Sequence, residues 1–214
     1  MTPREDSLAL VAPPAHTPPM RRPTLFYASV ALKLALVALL AFGAFSGLDQ
    51  FEGKAFGGRL LAYPLAVLVL PVAWRLWGRP RSFPYVADML ITAPFLIDVL
   101  GNAADLYDTV DWWDDANHFV NWALLSAGAG LLFARASMPR WQLAVMVVGF
   151  GAASAIVWEL AEYVAFIRDS PELATAYEDT LGDLALGTTG SVVAAAAVVS
   201  WVAQATRSRA ARGA

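Results

Sequence analysis

Six stretches of the chain, roughly 24–48, 58–78, 83–100, 115–134, 141–166 and 181–204, are each apolar over about the 20 residues that a ~30 Å hydrocarbon core requires. Lipid offers no hydrogen bonds to the backbone, so segments of this kind must be helical. Composition agrees: 58% of residues are hydrophobic and 15% charged, with a mean hydropathy of +0.52. A soluble domain carries about 25% charged residues. The expected fold class is therefore all-α, a polytopic membrane protein with six transmembrane helices in a bundle spanning 24–204. The chain has no cysteine, which excludes disulfides and thiolate chemistry.

Residues 1–23 contain six prolines and the charged Arg4, Glu5, Asp6, Arg21 and Arg22, with little to bury. They read as a disordered cytoplasmic tail, with His16 outside any chemistry. Arg21 and Arg22 before an apolar run also suit a signal peptide. That run is about 25 residues, well past the 7–15 of a signal core, so a retained span is expected. In a six-span arrangement Arg4, Arg21, Arg22, Arg75, Arg79, Arg81, Arg135, Arg140, Arg207, Arg209 and Arg212 all fall on the N-terminal side. Only Lys54, Arg59 and Arg168 fall opposite, while Lys33 lies inside the first span. Positive charge gathers on the cytoplasmic side, so both termini are expected there, with 205–214 a basic cytoplasmic tail. Trp74, Trp77, Trp141 and Trp201 then mark the inner interface, and Trp112, Trp113 and Trp158 the outer one. The expected location is a bacterial inner membrane, crossed several times.

With that topology the acidic residues collect at the outer ends of four spans. Asp98 closes the third, with Asn102 and Asp105 placed to continue its face. Asp111, Asp114, Asp115 and His118 open the fourth, where Asp114, His118 and Asn121 form one stripe. Glu159 and Glu162 lie near the end of the fifth, and Asp179 and Asp183 open the sixth. First-turn acids suit the helix dipole, so capping accounts for Asp111, Asp114 and Asp179 as well as function does. Capping fits Asp183 and His118 less well, because each lies about a turn deeper. It fails for Glu159 and Glu162, since carboxylates at a helix C-terminus oppose the dipole.

Ionisable groups in a membrane are costly, and several anions gathered together repel. A divalent cation or shared protons would offset that repulsion. The candidate cation ligands are Asp98, Asp114, His118, Glu159, Glu162, Asp179 and Asp183. Carboxylates with one imidazole suit Mg, Mn, Ca, Fe or Zn. Neither HExxH nor a paired ExxH is present, which removes the common zinc-protease and di-iron bundle patterns. Without a cation, His118 is the candidate general base, held by Asp114 or Asp115, and a satisfied structural histidine is the plainer alternative. The sequence has no phosphate loop, dinucleotide glycine pattern or G-x-S-x-G elbow. Its basic residues are short clusters beside spans, which gives nucleic-acid binding no support.

Three elements in order, Asp114-x-x-x-His118-Phe119, then Trp158-Glu159-Leu160-Ala161-Glu162-Tyr163, then Asp179-Thr180-x-x-Asp183-x-x-Leu186-Gly187, resemble the YjdF-like bacterial inner-membrane proteins. The first and last also resemble the VanZ-like proteins linked to glycopeptide resistance. There an Asn often stands at the place of Gly187, and an Asp–Lys start replaces Asp114-Asp115. The resemblance covers about residues 85–204. It implies a polytopic membrane fold with Asp114, His118, Glu159, Glu162, Asp179 and Asp183 as its polar motif residues, and little about activity.

Small residues predict close helix contacts: Gly43 with Gly47, Gly149 to Ala155 in the fifth span, and Gly182, Gly187, Gly190 and Ser191 in the sixth. Pro64, Pro71 and Pro94 are expected to kink their spans. Lys33 and Asp88, both toward the inner half, are expected to pair, with snorkelling of Lys33 as the alternative. No internal repeat supports an inverted-repeat transporter. The leading reading is a metal-dependent enzyme with an outward-facing pocket acting on a lipid or lipid-linked envelope substrate. In it, water polarised by the cation, or His118, would supply the base or nucleophile. A transporter or permease using the same acids as a cation or proton site is the second reading, and a membrane scaffold the third.

Overall fold

A computed structural model describes residues 22–78 and 82–213 of the chain. The proline-rich tail up to residue 21 with His16, together with Arg79 and Arg81, lies outside the described residues. Everything described is helix or connection, with no strand among the described residues. The long helices are α1 (Arg22–Phe45), α2 (Phe56–Leu76), α3 (Tyr85–Ala103), α5 (Trp113–Phe133), α6 (Arg140–Glu162) and α7 (Ala176–Gly213), with a single-turn α4 (Leu106–Thr109) between α3 and α5.

Helices α1, α2, α3, α6 and α7 are long and apolar enough to cross a membrane. The expectation of six spans is met for these five. Helix α5 has 21 residues, a sufficient length, but Asp114, Asp115, Asn117, His118 and Asn121 fill its first turns and dilute its apolarity. Of these, Asp114, Asn117, His118 and Asn121 line one cavity. Helix α7 has 38 residues, about 57 Å at 1.5 Å per residue, and outruns a ~30 Å core. The stretch beyond residue 204, expected as a separate basic tail, continues this helix through Arg207 and Arg212.

Helix α5 is the hub, packed against α3, α6 and α7, while α1 leans on α2 and α3. Small residues allow this closeness. Gly151 of α6 abuts Ser126 and Ser191, whose hydroxyls bond each other at 2.9 Å across α5 and α7. Gly190 lies against the backbone of Phe119, and Gly187 against the Trp122 ring, so a Cβ at either would displace α7 from α5. Gly149 and Gly182 face open space and take no part. Gly43 and Gly47 do not form a helical pair: α1 ends at Phe45, and Gly47 sits beyond it at φ +68.

Two apolar clusters occupy opposite ends. One joins α5, α6 and α7 through Ala134, Leu143, Val147, Ala194, Ala195, Val198 and Val202. The other joins α1, α2 and α3 through Leu36, Leu40, Phe51, Phe56, Tyr63, Val67 and Val99. Pro64 and Pro71 lie within α2 and Pro94 within α3, each inside an otherwise continuous helix. Lys33 of α1 pairs with Asp88 of α3, as the sequence suggests, and Ser29 and Thr92 complete that buried knot.

Candidate functional site

The ends of α3, α5, α6 and α7 surround a cavity of about 680 Å³. Helix α5 enters it with Asp114 in the first turn and His118 one turn on, so both point along one face. Helix α7 delivers Asp183 and α6 delivers Glu162 in its last turn, where Glu159 meets His118 without lining the cavity. Immediately after Glu162 the chain widens into a π-helical turn, Tyr163–Ile167, closed by Arg168 N–H donating to Tyr163 C=O at 3.0 Å. Such turns concentrate at functional sites because they re-aim the neighbouring side chains.

His118 is 6% exposed and lies between carboxylates on both ring edges. Its Nε2 is 3.6 Å from Asp183 Oδ1 and 3.7 Å from Asp114 Oδ1, and its Nδ1 is 3.7 Å from Glu159 Oε1. These separations exceed hydrogen-bond length. Accordingly His118 Nδ1 and Glu159 Oε1 are buried atoms without a hydrogen-bond partner. Two groups of potential ligands result, Asp114–His118–Asp183 and His118–Glu159–Glu162, with the ligating atoms of each within 4.8 Å of one another. A buried acidic and histidine group that could hold a metal ion is thus present.

Not every residue expected to contribute does so. Asp98 is not in either group, because its carboxylate is already filled. It accepts from Arg59, from Tyr63 Oη at 2.7 Å, from Tyr107 Oη at 3.0 Å and from Asn102 Nδ2 at 3.4 Å. Burial beside that carboxylate pushes the Tyr107 phenol well above its usual range, so it stays a donor. Asp115 and Asp179 are exposed and belong to neither group, although Asp179 lines the cavity rim. Asp105 does not continue the Asp98 face either. Helix α3 stops at Ala103, and Asp105 turns left-handed at φ 58 to start α4.

Sequence reasoning missed Arg59, Tyr63 and Tyr107, which build the wall facing His118, and Trp122, which lines the cavity at the α7 contact. Arg59 reads in the sequence as one more charge that sets topology. Its position in the first turns of an apolar helix was the available signal. Here its guanidinium lies 5.6 Å from the Phe56 ring centre and 5.8 Å from that of Tyr63, buried against α3.

A family described as "Predicted membrane protein (DUF2238)" matches residues 28–204, which takes in every cavity-lining helix and all three motif elements. The chain belongs to this family. No curated protein and no solved structure matches it. Membership in DUF2238 places the chain among predicted membrane proteins, in keeping with its several apolar helices and with contact to a lipid bilayer.

Proposed function

We propose that this DUF2238 protein crosses a bacterial inner membrane six times, with both termini cytoplasmic and the cavity opening outward. On this topology α5 is the fourth of the six spans, shielded from lipid by α3, α6 and α7. In this reading the cavity holds a divalent cation on Asp114, His118 and Asp183, and the protein is an enzyme acting on a lipid or lipid-linked envelope substrate. One observation carries it: a buried imidazole presents Nε2 between two carboxylate oxygens at 3.6 and 3.7 Å, all three residues lining one cavity. Three such donors drawn in by a few tenths of an ångström to about 2.0–2.4 Å from a common centre form an ordinary mixed nitrogen–oxygen site.

A cation there would supply Lewis-acid polarisation of a bound oxygen group. The chain's own residues do the rest. Asp114 and Asp183 would hold the cation beside the Nε2 edge of the imidazole, and Tyr63 and Tyr107 hold Asp98 in place elsewhere in the cavity wall. Pro94, Phe95, Trp122, Leu125 and Trp158 add an apolar lining beside the acids, which suits an amphiphile better than a free ion. The transport reading has less support. Below Leu125, α5, α6 and α7 meet at the Ser126–Ser191 contact and then the apolar cluster around Leu143 and Val198. Among the described residues, the inner-half polar group of α1 and α3 is the Lys33–Asp88–Thr92 knot, already closed on itself.

The test is binding of Zn²⁺ or Mn²⁺ to purified, metal-depleted full chain by titration calorimetry. His118→Ala and Asp183→Ala should each weaken the tighter binding by tenfold or more while expression is retained. Two variants that bind like wild type would remove the cation from this reading. Excess EDTA should also lower the melting temperature. A ligand at a hundred times its Kd stabilises by about 2.7 kcal/mol, and the chelator withdraws that.

A further inference from the structure

We infer that the centre is binuclear, with His118 bridging two divalent cations through its two ring nitrogens. This rests on the cation reading above and adds a second position to it. The second position lies on the Nδ1 edge, between His118, Glu159 and Glu162. Its ligating atoms fall within 4.8 Å of one another, about the span of two bonds of 2.0–2.4 Å to one centre.

Independent of the acidic grouping, two atoms there are left unanswered. His118 Nδ1 and Glu159 Oε1, on residues 6% and 7% exposed, face each other at 3.7 Å with no hydrogen-bond partner. A direct N–H to oxygen bond would require about 3.0 Å. Buried polar atoms are normally satisfied, so a pair aimed at one shared point marks a place for a ligand. With the carboxylates of Glu159 and Glu162 on one side and an imidazole nitrogen on the other, the ligand that suits the place is a cation.

Charge argues the same way. Asp114, Asp183, Glu159 and Glu162 bring four negative charges to one ring. One divalent cation balances only two of them, and Glu159 and Asp183 are buried, where an unbalanced charge is expensive. When the second cation binds Nδ1, the imidazole releases its remaining N–H proton to water. The centre then carries one net negative charge rather than two. Bonds of ~2.1 Å at either edge of the ring would set the cations about 6 Å apart. Asp114, His118, Glu162 and Asp183 line the cavity and Glu159 does not, so the second position, reached from the cavity past Glu162, would tie α5 to α6.

The experiment is elemental analysis of the metal-depleted full chain in detergent after loading with Zn²⁺ and desalting. Two equivalents per chain are expected, falling to one in Glu162→Gln. One equivalent in wild type would overturn the binuclear proposal and leave the cavity reading intact, whereas none would overturn both. Paramagnetic loading guards against a variant that fails to fold. With Cu²⁺, the resonance signal of wild type should rise to one equivalent and then fall as the second ion couples through the ring. A signal that grows in proportion to two equivalents would overturn the bridge.

Discussion

Two buried polar clusters share this bundle, and they solve the same problem differently. In the α1–α3 cluster, Asp88 is 1% exposed and meets the tethered ammonium of Lys33, with Ser29 and Thr92 filling its remaining contacts. In the α5–α6–α7 cluster, Glu159 and Asp183 are as deeply buried, yet their only ion-pair partner among the described residues is the imidazole of His118. The first cluster carries its cation covalently. The second is arranged as though its cation arrives from outside. Asp98 sits between these cases in the chain, about 15 Å along α3 from Asp88 at 1.5 Å per residue, and Arg59 serves it as Lys33 serves Asp88. A buried carboxylate with its own Lys or Arg reads as architecture; one without reads as a site.

Removing the tethered cation should have the largest effect. Lys33→Ala leaves Asp88 buried and uncompensated, and breaking such a pair costs about 3–5 kcal/mol. Thermal unfolding in detergent should show the full loss for Lys33→Ala and a much smaller one for Lys33→Met combined with Asp88→Leu, which removes both charges. A single variant as stable as wild type would mean that Asp88 does not depend on its ammonium partner, and the contrast between the clusters would collapse.

The same operation on the other cluster should change sign. Asp183→Asn removes an anion from a crowded set, so in EDTA the variant should gain roughly 1 kcal/mol from relieved repulsion. In saturating Zn²⁺ it should instead be less stable than wild type, because a ligand is gone. Melting curves with and without the ion measure both arms. A variant less stable under both conditions would make Asp183 an ordinary structural acid.

How far the sequence foretold this depends on where the information resides. Helix-end position set Glu159, Glu162, Asp183 and His118 at one level, and the structure brings them together. For Glu159 and Glu162 the dipole rule added that carboxylates at a helix C-terminus need an explanation beyond capping. The Lys33–Asp88 pair followed from two ionisable residues at similar depth. Asp98, expected beside the acids around His118, meets Arg59, Tyr63 and Tyr107 instead. Its neighbour Arg59 is 39 positions away, and Tyr107 arrives only because Asp105 turns left-handed and starts α4. Neither the α2–α3 contact nor that turn has a local signature. Nor does the division of His118 into two faces, which needs the relative rotation of α5, α6 and α7. Helix α7 outran its expected end because alanine and arginine continue a helix beyond the apolar run, and hydropathy marks only the run.

The smallest effect belongs to the pair that lies in water. Lys54 bridges to Asp108 at the rim, linking the α1–α2 connection to α4, and Asp108 is 54% exposed. Hydrogen bonding from the Lys54 ammonium holds the Asp108 carboxyl below its usual value. A group depressed in the folded state adds stability above its unfolded pKa and loses it as pH falls through the folded one. The contribution of this pair is therefore complete at neutral pH and disappears in acid below the ordinary aspartate range. Solvent screening limits it to a few tenths of a kcal/mol, and 1 M salt should erase it. Lys54→Ala should thus shift the melting temperature by a degree or so at pH 7 in low salt, and by nothing in high salt. Lys33→Ala should keep its full effect under both conditions, because the Debye length matters only where ions can reach. A salt-insensitive loss at Lys54 would mean that the rim is closed to water and that the cavity mouth belongs with the architecture rather than with the site.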